Sequence, residues 1–302
     1  MADRNGFSIE AEHRSTSISL PRGNAWRSTK SRLPRGRAPR TFARNRDRTP
    51  LTPPGPVTIV LFDIDGTLVL TGGAGARAMG RAFEETFGIP RALDGIPMAG
   101  RTDAGILAEA AARAGVTLTA GDRRRFRDRY VERLREALLE PGHPKQVLPG
   151  VRPLLEALTA RPDIFLALLT GNSEEGARLK LEHFDLWKFF RCGAFGDETA
   201  ERNDLFGTAM RRARECGAPD VAPSEVVVIG DTELDVAVAV RAGARSVAVA
   251  TGSSGLAALH RSGADVVLKD LGDVNAFLNL LGTSLRSIER RPRVGPSENP
   301  QE

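Results

Sequence analysis

Cysteine is nearly absent: Cys192 and Cys216 are the only two in 302 residues. Their spacing fits neither a zinc module nor a redox motif. Two scattered thiols suit a reducing cytosol and leave only a single disulfide open. No apolar run approaches the roughly 18–20 residues that a bilayer span requires. No h-region marks a secretory signal, so a cytoplasmic location with no membrane span is expected. His143, His183 and His260 have no partner pattern and receive no role. Apolar (41%) and charged (27%) fractions are those of an ordinary globular protein. The length admits one large or two modest domains.

The formal charge of +5 is unevenly spread. Residues 1–56 hold about 12 Lys/Arg against about 4 Asp/Glu, roughly +8, so the rest of the chain is close to −3. This basic extension is rich in Arg, Ser, Pro and Asn and has too little apolar surface to order itself. It is read as disordered. It is either an inert extension or an electrostatic contact for nucleic acid or anionic lipid. Glu10, Glu12 and Asp47 weaken a transit-peptide reading.

From residue 57 the chain alternates short apolar runs with helical periodicity. Expected strands are 57–62, 164–169, 190–195, 225–229, 246–250 and 265–268. Helices are expected at 151–160, 173–182, 204–216 and 232–242. The alternation implies an α/β fold with a doubly wound, Rossmann-like parallel sheet. Residues 65–164 break the pattern with helices expected at 74–87, 103–114 (N-cap Thr102) and 120–139. The expected division is a core of residues 57–72 and 150–282, an inserted helical domain of residues 73–149, and a disordered tail of residues 283–302. Glycines and prolines at 72–75 and 141–150 supply the hinges.

The most informative string is V-T-I-V-L-F-D-I-D-G-T-L, residues 57–68. A buried strand runs into Asp63 and Asp65, at the strand end where open α/β sheets place ligands. Residues two apart in an extended chain point the same way, so the two carboxylates share one small volume. Their repulsion is relieved by a hard cation or by a division of labour. A helix N-cap followed by a turn is the plainer reading of a lone D-x-D. At a second strand end, Thr170, Gly171 and Asn172 combine a hydroxyl with a loop-to-helix junction suited to an anion. A third ends in Gly230-Asp231-Thr232-Glu233-Leu234-Asp235, with Glu233 read as an exposed first-turn acid.

D-I-D-G-T-L, L-L-T-G-N and G-D-T-E-L-D, in this order, resemble the first, second and fourth motifs of the haloacid dehalogenase-like superfamily. The resemblance covers roughly residues 57–281 and is nearest the helical-cap, phosphoglycolate-phosphatase-like branch. It implies a Mg²⁺-dependent phosphomonoester hydrolase acting on a small phosphorylated metabolite. Asp63 is then the nucleophile and Asp65 the general acid and base. Thr170, Gly171 and Asn172 bind phosphate, and Asp63, Asp65, Asp231 and Asp235 form the metal site. The family also offers a lysine before the helix that precedes the fourth motif. Residues 196–206 contain none, and Arg202 stands at that place, whereas Lys180 and Lys188 lie upstream of the third strand and are given no role. Arg202 is expected to pair with Asp63 and the phosphoryl oxygens; the alternative is a surface pair with Glu198 or Glu201. Arg101, at a loop-to-helix junction of the insertion, is a candidate for substrate specificity or a solvated helix start. A sugar phosphomutase, and a non-catalytic module binding through the basic tail, are the rival functions. The intact acids argue against the latter, and the presence of Asp65 argues against a dehalogenase.

Overall fold

The computed structural model describes residues 58–282; the expected extension (1–56) and tail (283–302) lie outside the described residues. In chain order the strands are β1 (Thr58–Phe62), β2 (Val69–Leu70), β3 (Gln146–Val147), β4 (Ile164–Leu169), β5 (Gly193–Ala194), β6 (Val226–Gly230), β7 (Arg245–Val249) and β8 (Val266–Leu268). The helices are α1 (Ala74–Phe87), α2 (Asp103–Arg113), α3 (Ala120–Leu139), α4 (Val151–Thr159), α5 (Glu174–His183), α6 (Leu205–Glu215), α7 (Glu233–Ala242), α8 (Leu256–Arg261) and α9 (Val274–Gly282).

Strand alternation builds two apolar layers. Val60 and Phe62 of β1, Leu166 and Leu168 of β4, and Val227 and Ile229 of β6 pack on one face with Leu154, Leu155 and Leu158 of α4 and Leu181 of α5. Ile59, Leu61, Phe165, Ala167, Val226 and Val228 point the other way, against Leu205, Ala209 and Ala213 of α6 and Val238 and Ala239 of α7. A sheet covered on both faces must be apolar throughout, which is why these strands read as continuous runs.

The main sheet has the order β5-β4-β1-β6-β7-β8, all parallel. From β1 the chain crosses to β4 on one side and later to β6 on the other. β1 is therefore the switch point, and the crevice beyond its C-terminal end is where such sheets bind ligands. The third expected strand, 190–195, shrinks to Gly193–Ala194. It is an edge strand paired only with Leu168 and Leu169, and a 3-10 turn at Trp187–Phe189 takes up the chain before it.

The three helices expected between residues 73 and 149 are present. α1 and α3 have the expected bounds and α2 stops one residue short, with Thr102 accepting the Gly105 N–H as its cap. Ala78, Phe83, Phe126, Tyr130 and Leu134 give the insertion an apolar cluster of its own. The antiparallel pair β2–β3 was not expected. It joins the two linkers through Val69↔Val147 and Leu70↔Gln146, so the supposed hinges are stitched together. Among the described residues no helix is long and apolar enough to cross a membrane.

Candidate active site

Three neighbouring strand ends build the site: β1 and β6 deliver Asp63 and Asp231, and β4 delivers Thr170. The Asp63 backbone N–H donates to the Ile229 carbonyl at 2.9 Å, which ties the residue after β1 to β6. Thr170 N–H donates to the Ala194 carbonyl at 3.1 Å, which fixes the end of β4 in the same way. Asp231 follows β6 directly and accepts the Ser253 N–H at 3.0 Å. The turn after Asp63 requires glycine twice over. Gly66 has φ +80°, and a Cβ there would stand 2.6 Å from Asp231 Oδ2.

Oxygens of Asp63, Asp231 and Asp235 all lie within 4.8 Å of one another and all three residues are buried. Burial, only partly offset by Arg202, pushes Asp63 up to about 6. Burial, with Asp63 and Asp235 nearby, pushes Asp231 up to about 8. Three buried carboxylates against the one guanidinium of Arg202 form a hard oxygen donor set short of positive charge, so the residues fit a divalent cation such as Mg²⁺. Asp235 is already engaged at both oxygens. Oδ1 accepts from Arg202 at 2.5 Å, and Oδ2 accepts from the Thr232 hydroxyl at 2.6 Å in the capping box of α7. Glu233 is exposed in the first turn, as expected.

Arg202 is buried. Its Nη2 lies 3.1 Å from Asp63 Oδ1 as well as 2.5 Å from Asp235, and its Nη1 donates to the Gly100 carbonyl of the insertion at 2.9 Å. Although burial opposes its charge, Asp235 and Asp63 raise its pKa further still. The surface alternative does not hold, because Glu198 pairs with Arg212 instead. Arg202 Nε is buried and has no hydrogen-bond partner among the described residues.

Asp65 stands apart from the three-acid cluster, although it was expected among the metal ligands. Its Oδ2 accepts from Lys180 Nζ at 2.6 Å and from Asn172 Nδ2 at 2.9 Å, and its Oδ1 accepts weakly from the Thr71 hydroxyl at 3.4 Å. Asn172 also donates to Thr170 Oγ1 at 2.9 Å and accepts from Lys180 at 2.5 Å. The amide that was expected to bind phosphate is thus a bracket holding Asp65, Thr170 and Lys180 together. The Thr170 hydroxyl lies close enough to Asp63 to pull its carboxyl pKa down, against the larger effect of burial. Gly171 lines the cavity, and a Cβ there would lie 2.0 Å from the Arg101 carbonyl oxygen.

Setting Lys180 aside was therefore wrong: the structure puts its ammonium beside Asp65, almost fully buried. A signal existed in the sequence. Gly176, Ala177, Lys180 and Leu181 form the buried stripe of α5, and a lysine at an apolar stripe position needs a buried partner. Lys188, by contrast, pairs with Asp185 on the surface. Asp103 was also missed. It begins α2 like any first-turn acid, yet it accepts the Ser173 N–H at 2.8 Å, and burial pushes it up to about 6 against the pull of Lys180. Arg101 lines the cavity, but its guanidinium is held by Glu109 at 2.5 Å and by the Pro97 carbonyl at 3.2 Å.

A model of the haloacid dehalogenase-like hydrolases matches residues 60–249, and the chain belongs to that family. A phosphoglycolate phosphatase of Chromobacterium violaceum is 29% identical over 225 residues, spanning 72% of this chain and 95% of its own length. A Haemophilus somnus 129PT structure, named a predicted phosphoglycolate phosphatase, superposes with TM-score 0.55 at 20% identity, over 74% of this chain and 98% of its own. A Pseudomonas syringae hydrolase superposes with TM-score 0.53 at 24% identity, over 74% and 99%. At these identities the two structural likenesses speak for the fold.

Proposed function

We propose that the chain is a Mg²⁺-dependent phosphomonoester hydrolase that acts on a small phosphorylated metabolite in the cytosol through an aspartyl-phosphate. The observation that carries this reading is the gathering of Asp63, Asp231 and Asp235 at the switch point, with Arg202 bridging Asp63 to Asp235 and Asp65 two residues away on a separate network. The name of the Chromobacterium violaceum relative agrees with a phosphatase.

Asp63 and Asp231 would hold the cation, with Asp235 joining directly or through water. When bound, it would offset their charge and that of the phosphoryl oxygens. Asp63 attacks phosphorus in line as the nucleophile. The Thr170 hydroxyl and Arg202, whose Nε is still without an acceptor, stabilise the transferring group. Asp65 gives its proton to the leaving oxygen and later takes one from the attacking water. Lys180 and Asn172 hold the Asp65 carboxylate in place through both roles. The helical insertion serves as the cap, and Gly100–Asp103 is its contact with the catalytic groups. The Gly100 carbonyl meets Arg202, Asp103 N–H meets the Gly171 carbonyl at 2.7 Å, and the Thr102 hydroxyl meets the Ala200 carbonyl at 2.8 Å.

The test is phosphate release from an aryl phosphate and a panel of small phosphomonoesters, with Mg²⁺ and with chelator, for wild type and Asp63→Asn. Metal-dependent release lost in the variant is expected. No release from any ester would sink the hydrolase reading and turn attention to a phosphomutase, which moves phosphate without freeing it.

A further inference from the structure

The cavity between the insertion and the strand ends measures about 530 Å³, within the usual range for a small-molecule site. The Asp63 end is the reacting end. Met79, Met98, Ile106 and Tyr130, all from the insertion, also line the cavity and would face the alcohol portion of an ester.

Every cation lining the cavity is already matched, among the described residues. Arg202 is divided between Asp63, Asp235 and the Gly100 carbonyl. Arg101 is turned to Glu109, which Arg113 also grips. Lys180 is held by Asp65 and Asn172 and is attracted to Asp103 as well. The cavity-lining acids are Asp63, Asp65, Asp103 and Asp231. The proposed cation offsets the Asp63–Asp231 side only. At the insertion end the Lys180 ammonium alone faces both Asp65 and Asp103, so that end has no positive charge to spare.

We infer that the site takes phosphomonoesters whose alcohol carries no second negative charge. This inference rests on the hydrolase reading above. A carboxylate on the leaving group would lie among methionine, isoleucine and tyrosine side chains and share that space with the Asp103 carboxylate. A buried ion without a partner is strongly disfavoured. Its one cationic partner there would be Lys180, and taking it would strip Asp65 of the ammonium that positions it. A hydroxyl or an ammonium meets no such penalty.

Three esters of similar size separate the cases: 2-phosphoglycolate, 2-hydroxyethyl phosphate and 2-aminoethyl phosphate. The full chain is assayed for kcat/KM with Mg²⁺, alongside an aryl phosphate. The two non-anionic esters should exceed 2-phosphoglycolate by about 10²-fold, as expected when one buried charge is left unpaired. Lys180→Met should then lower kcat for all three by a similar factor, because Lys180 acts through Asp65. Turnover of 2-phosphoglycolate equal to or above that of the other two would overturn the inference while leaving the hydrolase intact. So would a Lys180→Met variant that raises KM for 2-phosphoglycolate alone, since Lys180 would then be its carboxylate receptor. Silence with all four esters would bring down the hydrolase reading and this inference with it.

Discussion

The ends of β1, β4 and β6 hold Asp63, Thr170 and Asp231 on backbone that is already bonded to neighbouring strands, whereas the helical insertion packs Phe83, Phe126, Tyr130 and Leu134 around a separate apolar cluster. Its hydrogen bonds to the core near the site come from one short segment, Gly100 to Ala104, and most use backbone atoms. The two regions divide the work accordingly. Strand ends can hold like charges close together because the sheet resists their repulsion. The insertion meets that site through a few carbonyl and amide bonds. Substitutions at strand ends should therefore change chemistry, and substitutions in the insertion should change closure and substrate choice.

Asp63→Asn is the sharpest test of the first half. Turnover should fall by at least about 10⁴-fold, as when a nucleophile is removed, while circular dichroism and the elution volume on gel filtration stay as in wild type. Retained turnover would move the nucleophile elsewhere.

Arg202 belongs to both halves and should show it. Arg202→Ala should reduce kcat by about 10²- to 10³-fold. It should also destabilise the fold by about 3–5 kcal/mol in urea titrations, because Asp63 and Asp235 lose their buried counter-charge. Arg202→Lys keeps the charge without the two-armed fork, and so should recover stability better than turnover. Full activity in Arg202→Lys would show that the bond to the Gly100 carbonyl is dispensable.

The acid cluster predicts an unusual pH dependence. Asp63 and Asp231 have folded pKa values raised to about 6 and about 8, above the ordinary 3.8 of an unfolded aspartate. Between these values the folded state binds more protons than the unfolded one, so the contribution of these groups falls as pH rises from about 4 to about 8. In chelator, the thermal midpoint of wild type relative to Asp231→Asn should drop across that window. Added Mg²⁺ should raise the wild-type midpoint most at the upper end of it. A Mg²⁺ effect independent of pH, or equal in the variant, would contradict a metal site built on Asp231.

The smallest effect is expected in the insertion. Thr102→Val removes the cap of α2 and the bond to the Ala200 carbonyl and should cost about 1 kcal/mol. KM should rise for every ester, with little change in kcat. An equal loss in kcat would mean that this segment takes part in the chemistry.

Read from its residues, the chain disclosed the sheet and the acids at its strand ends. A buried parallel strand must be apolar on both faces, so β1, β4 and β6 stand out as runs, and the polar residue that ends each run is conspicuous. Arg202 could be placed beside Asp63 only through the family resemblance, at the place of the usual lysine ahead of α6, and the three helices of the insertion by their periodicity and the Thr102 cap. Lys180 and Asp103 were not legible in the same way. Each looks ordinary in its own helix, and its meaning comes from a neighbour far off in sequence: Asp65 for Lys180, the Ser173 amide for Asp103. The separation of Asp65 from the acidic cluster, the stitching of the linkers by β2 and β3, and the pairing of the cavity cations have the same origin. Local sequence determines which way a strand or helix faces, because that depends on the period of the backbone. Only the tertiary structure decides which charges share a buried space, because that depends on how separate elements pack.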